Sequence, residues 1–559
     1  MKLRTFIKLT ILFPLLVGCN SKSKYLTSND NGTATIRIYK TDATTDLKDR
    51  YISPKKVKLK YTYNSLSGTL SNNENVCPSI GDVNLLVIPV HIKGDDTYKT
   101  EAVRKDIETM FFSKNSSRMG YPSVSEYYYE SSYGKLNFQG VVTDWYDTNL
   151  TSDLINQEVV QYDILRKAVA WAEKTQNINL KDFDKNEDGS IDAVWLVYDH
   201  LDWSTEFSLR YGNDSSYNPD DINATFWNYT GWDWDTLPGD KPTTSAFSWA
   251  SFDMMYTPYA EYDNLDYYEV PNLENLSQIK LDSHTFIHET GHLLGLEDYY
   301  NSDDSTYHPA GKSTMMDQNI CDLDSYSKML LGWVTPYVVY GSSEILIPTA
   351  TSSDHAVIVI PHNYEEISDL VEKAHASNKV DDFIYEFNPF SEYLMIDLYS
   401  PDGLNELDTY GPYIYGKEAS MTNTGVRIYH VDSRIFKCRV VNYDGGSRLT
   451  YVEGYNWDGN FLANNEAILM PISNRRIEST NFQLPNEFDY FDQIRLLEAN
   501  RINTFDNNHY ASNNSLWTTN SEPFDITAFG YQFFNASYTY NNGEDMPFKV
   551  KVTTLKGVE

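Results

Sequence analysis

Residues 283–300 read SHTFIHETGHLLGLEDYY, and their spacing decides how the central part of this chain folds. His284, His288 and His292 follow one another at intervals of four, in a chain with only 11 histidines among 559 residues. Residues four apart on an α-helix share one face, about 5–6 Å apart at Cβ. On a helix, His288 and His292 can therefore both offer an imidazole nitrogen to one metal ion. Zinc is the expected ion for two imidazoles completed by an oxygen ligand. Glu289 lies one position round from His288; it is poorly placed to be the next ligand on that face but able to reach a metal-bound water as general base. Phe286 and Leu293, and Ile287 and Leu294, repeat on the flanks. The helix is thus expected to be buried on most sides, so the histidines cannot simply be solvated.

Beyond His292 the chain carries Gly295, which can take the left-handed conformation that stops a helix. The returning loop then presents Asp298. Its carboxylate would complete a His288–His292–Asp298 set with one coordination position open, which separates catalytic from structural zinc. Glu297 competes for that place, and the spacing favours Asp298. His284 lacks an obvious acid beside it. A supporting partner, a substrate contact or a satisfied core histidine is favoured over a ligand role. Further on, GKSTMMDQN offers a methionine turn of the kind that lies beneath the metal in long HExxH motifs, with Met316 the better candidate and Met315 the alternative. CDLDSYSKMLLGW reads as a helix capped by Asp322, with Tyr326, Met329, Leu330 and Trp333 inward.

A chain of 559 residues exceeds one ordinary domain, and 41% hydrophobic residues suffice for real cores. The formal net charge of −34 argues against nucleic acid as a partner, since phosphates would be repelled. The start, MKLRTFIKLTILFPLLVGC, has a basic stretch, an apolar stretch and Leu16-Val17-Gly18-Cys19. It resembles a bacterial lipoprotein signal in residues 1–19, with Cys19 taking the lipid. No later stretch is long and apolar enough to span a bilayer, so a tether at Cys19 is the expected membrane contact. Cys77, Cys321 and Cys438 remain, without a CxxC; a disulfide framework and thiolate zinc are poor readings. Cys77 as a thiolate cap on a latent metal site is set aside, because nothing in its surroundings asks for it.

Residues 20–80 are polar with short alternating stretches and read as a β-rich lead-in or a small pro-segment. NLLVIPVHI, from Asn84, and IDAVWLVYDH, from Ile191, are buried strands. EAVRKDIETMFF and DLINQEVVQYDILRKAVAWAEK have helical spacing, and Ser123 with Glu126 suggests a capping box before YYYESSYG. Strands alternating with helices predict an α/β domain over 81–340. Residues 205–245 read as a long surface insertion. After Pro336 short strands such as HAVIVIPHN, EYLMIDLYS and GVRIYHVDS predict an all-β, sandwich-like domain over 341–559. In DFDKNEDGSIDAVW, Asp184, Asn186, Asp188, Ser190 and Asp192 alternate around Gly189 like the first half of a calcium loop. Trp195 stands where an EF-hand carries glutamate, and Asp182 or Asp192 is the candidate substitute in a structural calcium site.

These pieces, in order over roughly residues 80–435, resemble the immune inhibitor A-like metallopeptidases, secreted bacterial zinc proteases. The matching stretches include NLLVIPVHI, PSVSEYYYESSYGKLNFQGVVTDWY, DFDKNEDGSIDAVWLVY, HTFIHETGHLLGLEDYY, STMMDQN, DSYSKMLLGWVTP, EYLMIDLYS and GVRIYHVDS. The resemblance implies an α/β metzincin-like zinc metalloprotease domain followed by the β domain. It also implies zinc endopeptidase activity with His288 and His292 as ligands and Glu289 as acid/base; it does not settle the third ligand. The short N-terminal segment and the lipid anchor depart from a freely secreted enzyme with a large pro-domain. Polypeptide substrates, a monomer and a place outside the bacterial cytoplasm, as a cell-surface lipoprotein or a secreted protein, are expected. The rival readings are an inactive surface adhesin or glycan-binding lipoprotein on a protease fold, and a zinc hydrolase acting on a non-peptide bond.

Overall fold

The computed structural model describes residues 32–40, 51–54, 77–201 except 95, 156 and 157, 229–233, 240–256, 277–360 except 278 and 302–306, 392–410, 421–433, and further stretches between 435 and 557. Cys19 and the rest of the signal-like segment lie outside the described residues. Among the described residues, no helix is long and apolar enough to cross a membrane.

The first described strand, β1 (Thr33–Lys40), joins a sheet whose other strands all lie at or beyond Ser343. The α/β part begins with β2 (Gly81–His91), α1 (Glu101–Phe112), α2 (Val124–Ser131), β3 (Leu136–Val142), α3 (Glu158–Thr175) and β4 (Val194–Tyr198). It continues with β5 (Tyr229–Trp232), β6 (Ala246–Ser251) and α4 (His284–Leu293). The strands lie in the order β3-β2-β4-β6-β5, parallel except for β5, which runs antiparallel at the edge. Both faces are covered, which is why β2 and β4 read as unbroken apolar runs. Leu86, Ile88, Val90, Val194 and Leu196 pack under α3, while Leu85, Val87, Trp195 and Val197 face α1, α2 and α4. Pro89 sits inside β2 without breaking the sheet, because the partner on one side changes there from Val142 to Tyr146. β5 falls inside the expected surface insertion 205–245. That expectation is corrected for these four residues, which form a sheet edge.

Local capping also departs in two places from expectation. Ser123 caps α2 by accepting from the Glu126 amide at 3.1 Å. The return half of the box is missing there, because the Glu126 carboxylate accepts from the Asn115 amide. α5 (Met315–Gln318) and α6 (Ser325–Leu330) follow α4, and the cap of α6 is Asp324, accepting from Ser327 at 2.9 Å. Asp322, the expected cap, instead accepts from buried Lys328 and from Ser131.

From residue 337 strands dominate: β7 (Tyr337–Val339), β8 (Ser343–Pro348), β9 (Val357–Val359), β10 (Glu392–Tyr399), then the short α7 (Glu406–Tyr410), β11 (Gly425–Asp432), β12 (Ile494–Leu496) and β13 (Phe548–Lys556). β12, β11, β10, β9 and β7 are consecutive neighbours in one sheet. β1 lies in a second sheet, antiparallel to both β8 and β13. The β-rich stretch inside the expected lead-in of 20–80 is therefore an inner strand of this sheet. The two sheets face each other through Ile36, Ile38, Ile347 and Val550 on one side and Leu394, Ile396, Leu398 and Ile428 on the other. The opposite face of the first sheet, with Tyr393, Met395, Tyr429 and Val431, shares its core with α4, α5 and α6. Period-two alternation thus splits β10 between two cores and buries all eight of its residues.

The interface with the α/β part also holds a buried ion pair. Arg427 on β11 donates from Nε and Nη2 to both oxygens of Asp397 on β10, each at 2.8 Å, and Ser325 of α6 donates to the same carboxylate at 2.6 Å. The guanidinium also lies over the Tyr399 and Tyr429 rings. Removing one member of a buried pair strands the other's charge. Arg427→Met is accordingly expected to lower unfolding stability by about 3–5 kcal/mol, measured by urea denaturation, without changing the residues around His288.

Candidate metal centre

α4 ends by a mechanism its sequence supplies. Gly295 has φ +92°, and its amide donates to His292 O at 2.8 Å while the Leu296 amide donates to Gly291 O at 3.0 Å. This is the double closure of a Schellman turn. The chain reverses, and the Tyr299 amide donates to Met316 O at 2.9 Å, which fixes the loop one residue beyond Asp298. Asp298 Oδ1 consequently lies 3.0 Å from His288 Nε2 and 3.2 Å from His292 Nε2. Glu289 joins them: ligand-type atoms of His288, Glu289 and His292 all lie within 4.8 Å of one another.

The far side of each ring explains why the Nε2 atoms converge. His288 Nδ1 is 2.9 Å from Met315 O, and His292 Nδ1 is 2.7 Å from Leu296 O. A carbonyl can only accept, so each Nδ1 carries the proton, and each ring when neutral would turn an Nε2 lone pair inward. Two lone pairs then face a carboxylate, which repels unless a proton or a cation stands between them. Burial alone would push the His292 pKa down, but the Asp298 carboxylate overrides it and raises it to about 10. Burial would likewise raise Asp298, but the His292 and His288 rings hold it well below the usual carboxylate range. Zinc fits this donor set. A tetrahedron with arms of about 2.0 Å has edges of about 3.3 Å, close to the two separations that Asp298 makes.

Met316 packs its thioether against Gly291 on α4. A Cβ on Gly291 would come 2.6 Å from Met316 Sδ, so a larger residue there would have to displace the thioether from this seat. Met315, the other candidate, contributes its carbonyl to His288 and buries its side chain.

Glu289 is buried at the face of the edge strand. Thr230 on β5 donates to Glu289 Oε2 at 2.7 Å, and Ser248 on β6 lies 2.6 Å from the Thr230 hydroxyl. Sequence reasoning missed both. Thr230 is 59 residues away, inside a stretch whose Asn, Asp and Trp content reads as loop, and no spacing rule joins it to the helix.

His284 is removed from the ligand set by its own partners. Its Nδ1 is 2.5 Å from Asp282 Oδ1, its Nε2 3.0 Å from Asp408 Oδ1 on α7, and its ring stacks on Tyr121 at 3.7 Å. The expectation that it lacks a neighbouring acid is corrected by Asp282, two residues before it. Cys77 is fully buried, and burial pushes its thiol pKa up, the reverse of what a thiolate cap needs. Cys77 and Cys321 are free thiols.

The acidic loop closes on itself ahead of β4. Asp184 accepts from the Asp188 and Gly189 amides at 3.0 and 3.1 Å, Asp188 accepts from Ser190 N at 2.8 Å, and Asn186 Nδ2 donates to Asp188 at 2.6 Å. Asp192 accepts from Lys185 N at 2.8 Å, and burial, reinforced by Asp184 and Asp188, raises its pKa to about 7.

No protein-family model matches this chain, and no curated protein matches it. The chemistry is therefore taken from the donor atoms themselves.

His284 yields a pH prediction. Burial opposes its charge, yet Asp282 and Asp408 raise its pKa to about 9, above the ordinary unfolded value of about 6.5. The protonated ring therefore stabilises the fold below about pH 6.5, and that contribution, roughly 3 kcal/mol, is lost as pH rises through about 9. Wild-type urea stability, less that of His284→Phe, should fall over this window.

Proposed function

We propose that this chain is a zinc-dependent endopeptidase. The observation that supports the reading is the convergence of His288 Nε2 and His292 Nε2 on Asp298 Oδ1, with Glu289 alongside and both Nδ1 protons held by carbonyls. His288, His292 and Asp298 would hold the ion. Zinc, when bound, supplies Lewis acidity toward a water and toward a carbonyl oxygen. The remaining work belongs to side chains. Glu289 takes a proton from the attacking water and later delivers it to the leaving amine. Its place one residue after His288 keeps it beside the reacting atoms throughout. Asp298 would offset one of the ion's two positive charges, and the carbonyls of Met315 and Leu296 keep both imidazoles in the ligating tautomer.

The substrate is a polypeptide, the fold of the α/β part is metzincin-like, and the protein acts outside the cytoplasm, tethered through a lipid on Cys19. The loop Asp184–Asp192 takes calcium in a structural role.

Casein hydrolysis by purified protein tests the central claim. Activity should be lost with a chelator and return with zinc, and Glu289→Gln should lower kcat by roughly 10²–10⁴-fold while retaining zinc. A protein that binds zinc stoichiometrically and cleaves no polypeptide would instead favour the inactive-lipoprotein reading. For the loop, millimolar calcium should raise the Tm of the wild type by several degrees and leave Asp184→Asn/Asp188→Asn unmoved. Equal shifts in both proteins would remove calcium from the account.

A further inference from the structure

We propose that Thr230 is a positioning residue for Glu289, fixing the carboxylate through a hydroxyl relay that starts at Ser248. The proposal rests on the reading of Glu289 as proton carrier and adds a part of the machinery that the HExxH stretch does not contain. Thr230 on β5 and Ser248 on β6 are direct cross-strand partners in the antiparallel register, so their side chains share one face of the sheet. α4 crosses that face. The Thr230 hydroxyl lies 2.7 Å from Glu289 Oε2, 3.1 Å from Glu289 O and 2.6 Å from Ser248 Oγ. Ser248 Oγ is also 3.4 Å from Glu289 O.

Proton counting orders these contacts. A hydroxyl has one proton to donate, and a carboxylate only accepts. The short contact to Oε2 is charge-assisted and takes the Thr230 proton. The Ser248 proton then has two acceptors in reach, Thr230 Oγ1 at 2.6 Å and Glu289 O at 3.4 Å, and the shorter contact takes it. Donation runs from Ser248 to Thr230 to Glu289, and each bond polarises the next.

The residue types carry the point further. Ser248 is fully buried and Thr230 nearly so, on strands where valine or alanine would pack without a polar atom to satisfy. Of the two hydroxyls placed opposite one another, Thr230 reaches the carboxylate and Ser248 reaches Thr230, so the pair ends on that carboxylate. With Oε2 anchored, the plane of the Glu289 carboxylate is fixed relative to the two Nε2 atoms. A general base works only from such a defined position. Thr230 acts through Glu289 and touches no reacting atom.

Thr230→Val keeps the shape and removes the hydroxyl. On a polypeptide substrate its kcat should fall roughly ten- to a hundredfold, with KM within about threefold of wild type and with zinc content and Tm retained. Thr230→Ser should recover most of that loss, and Ser248→Ala should show a smaller loss in the same direction. A second readout needs no metal. The infrared difference spectrum between metal-free wild type and Thr230→Val should show a displaced carboxylate stretch, absent when the same pair is compared in a Glu289→Gln background. Wild-type kcat in Thr230→Val, a loss confined to KM or to zinc content, or an unmoved carboxylate band would overturn the proposal. If Glu289→Gln itself proves fully active, the endopeptidase reading fails instead, and the infrared comparison still decides whether Thr230 holds the carboxylate.

Discussion

Two backbone carbonyls decide what the centre of this molecule can be. Met315 O and Leu296 O each take an imidazole N–H, and so turn both Nε2 atoms toward one carboxylate. Each carbonyl depends on further structure. Leu296 is in place because Gly295 adopts a backbone angle that other residues resist. Met315 is in place because α5 is held against α4, with the Met316 thioether seated where Gly291 has no side chain. The turn, the glycines and the methionine pair are therefore one device. It sets the tautomer of two rings, and the tautomer sets the charge that the space between them demands.

What the sequence revealed of this centre was whatever local geometry governs. The four-residue interval, the helix-stopping glycine and the acid three residues beyond it are short-range rules, and Asp298 stands where they point. Contacts between distant segments left no such trace. Thr230 reaches Glu289 from a strand hidden in polar, aromatic sequence, and Asp408 reaches His284 from 124 residues away. The misplaced caps have the same origin. Asp322 and Glu126 have the right chemistry for helix ends, but Lys328 and Ser131 occupy the first and the Asn115 amide the second. Tertiary partners outbid local propensity at these sites. The α/β alternation was legible because buried parallel strands leave continuous apolar runs. The division of β10 between two cores was not, because burial on both faces erases the alternation that would reveal it.

The β-rich half also reaches the ladder helix directly. Asp408 binds the first histidine of α4 and the Cys321 amide, and Asn474 donates both to Tyr299 O, next to Asp298, and to Ile494 O on β12. Together with the Asp397–Arg427–Ser325 cluster, these bonds place buried polar contacts across a shared apolar core. Such contacts are directional where apolar packing is not, so they fix how the two parts seat. The helix that carries His288 and His292 is thus braced from the sheet on one side and from the β-rich half on the other.

The position of β1 sets an order of events for biosynthesis. Thr35 bonds Thr553 across 518 positions of sequence, and β8 flanks the same strand from the middle of the chain. The first described strand must wait for the last described one before its sheet can close. Loop-closure entropy makes such pairing slow, and until it forms Ile36 and Ile38 lack their final cover. A nascent chain would need this strand kept from other edges during that interval, and loss of Phe548–Lys556 would expose a seam that begins at residue 33.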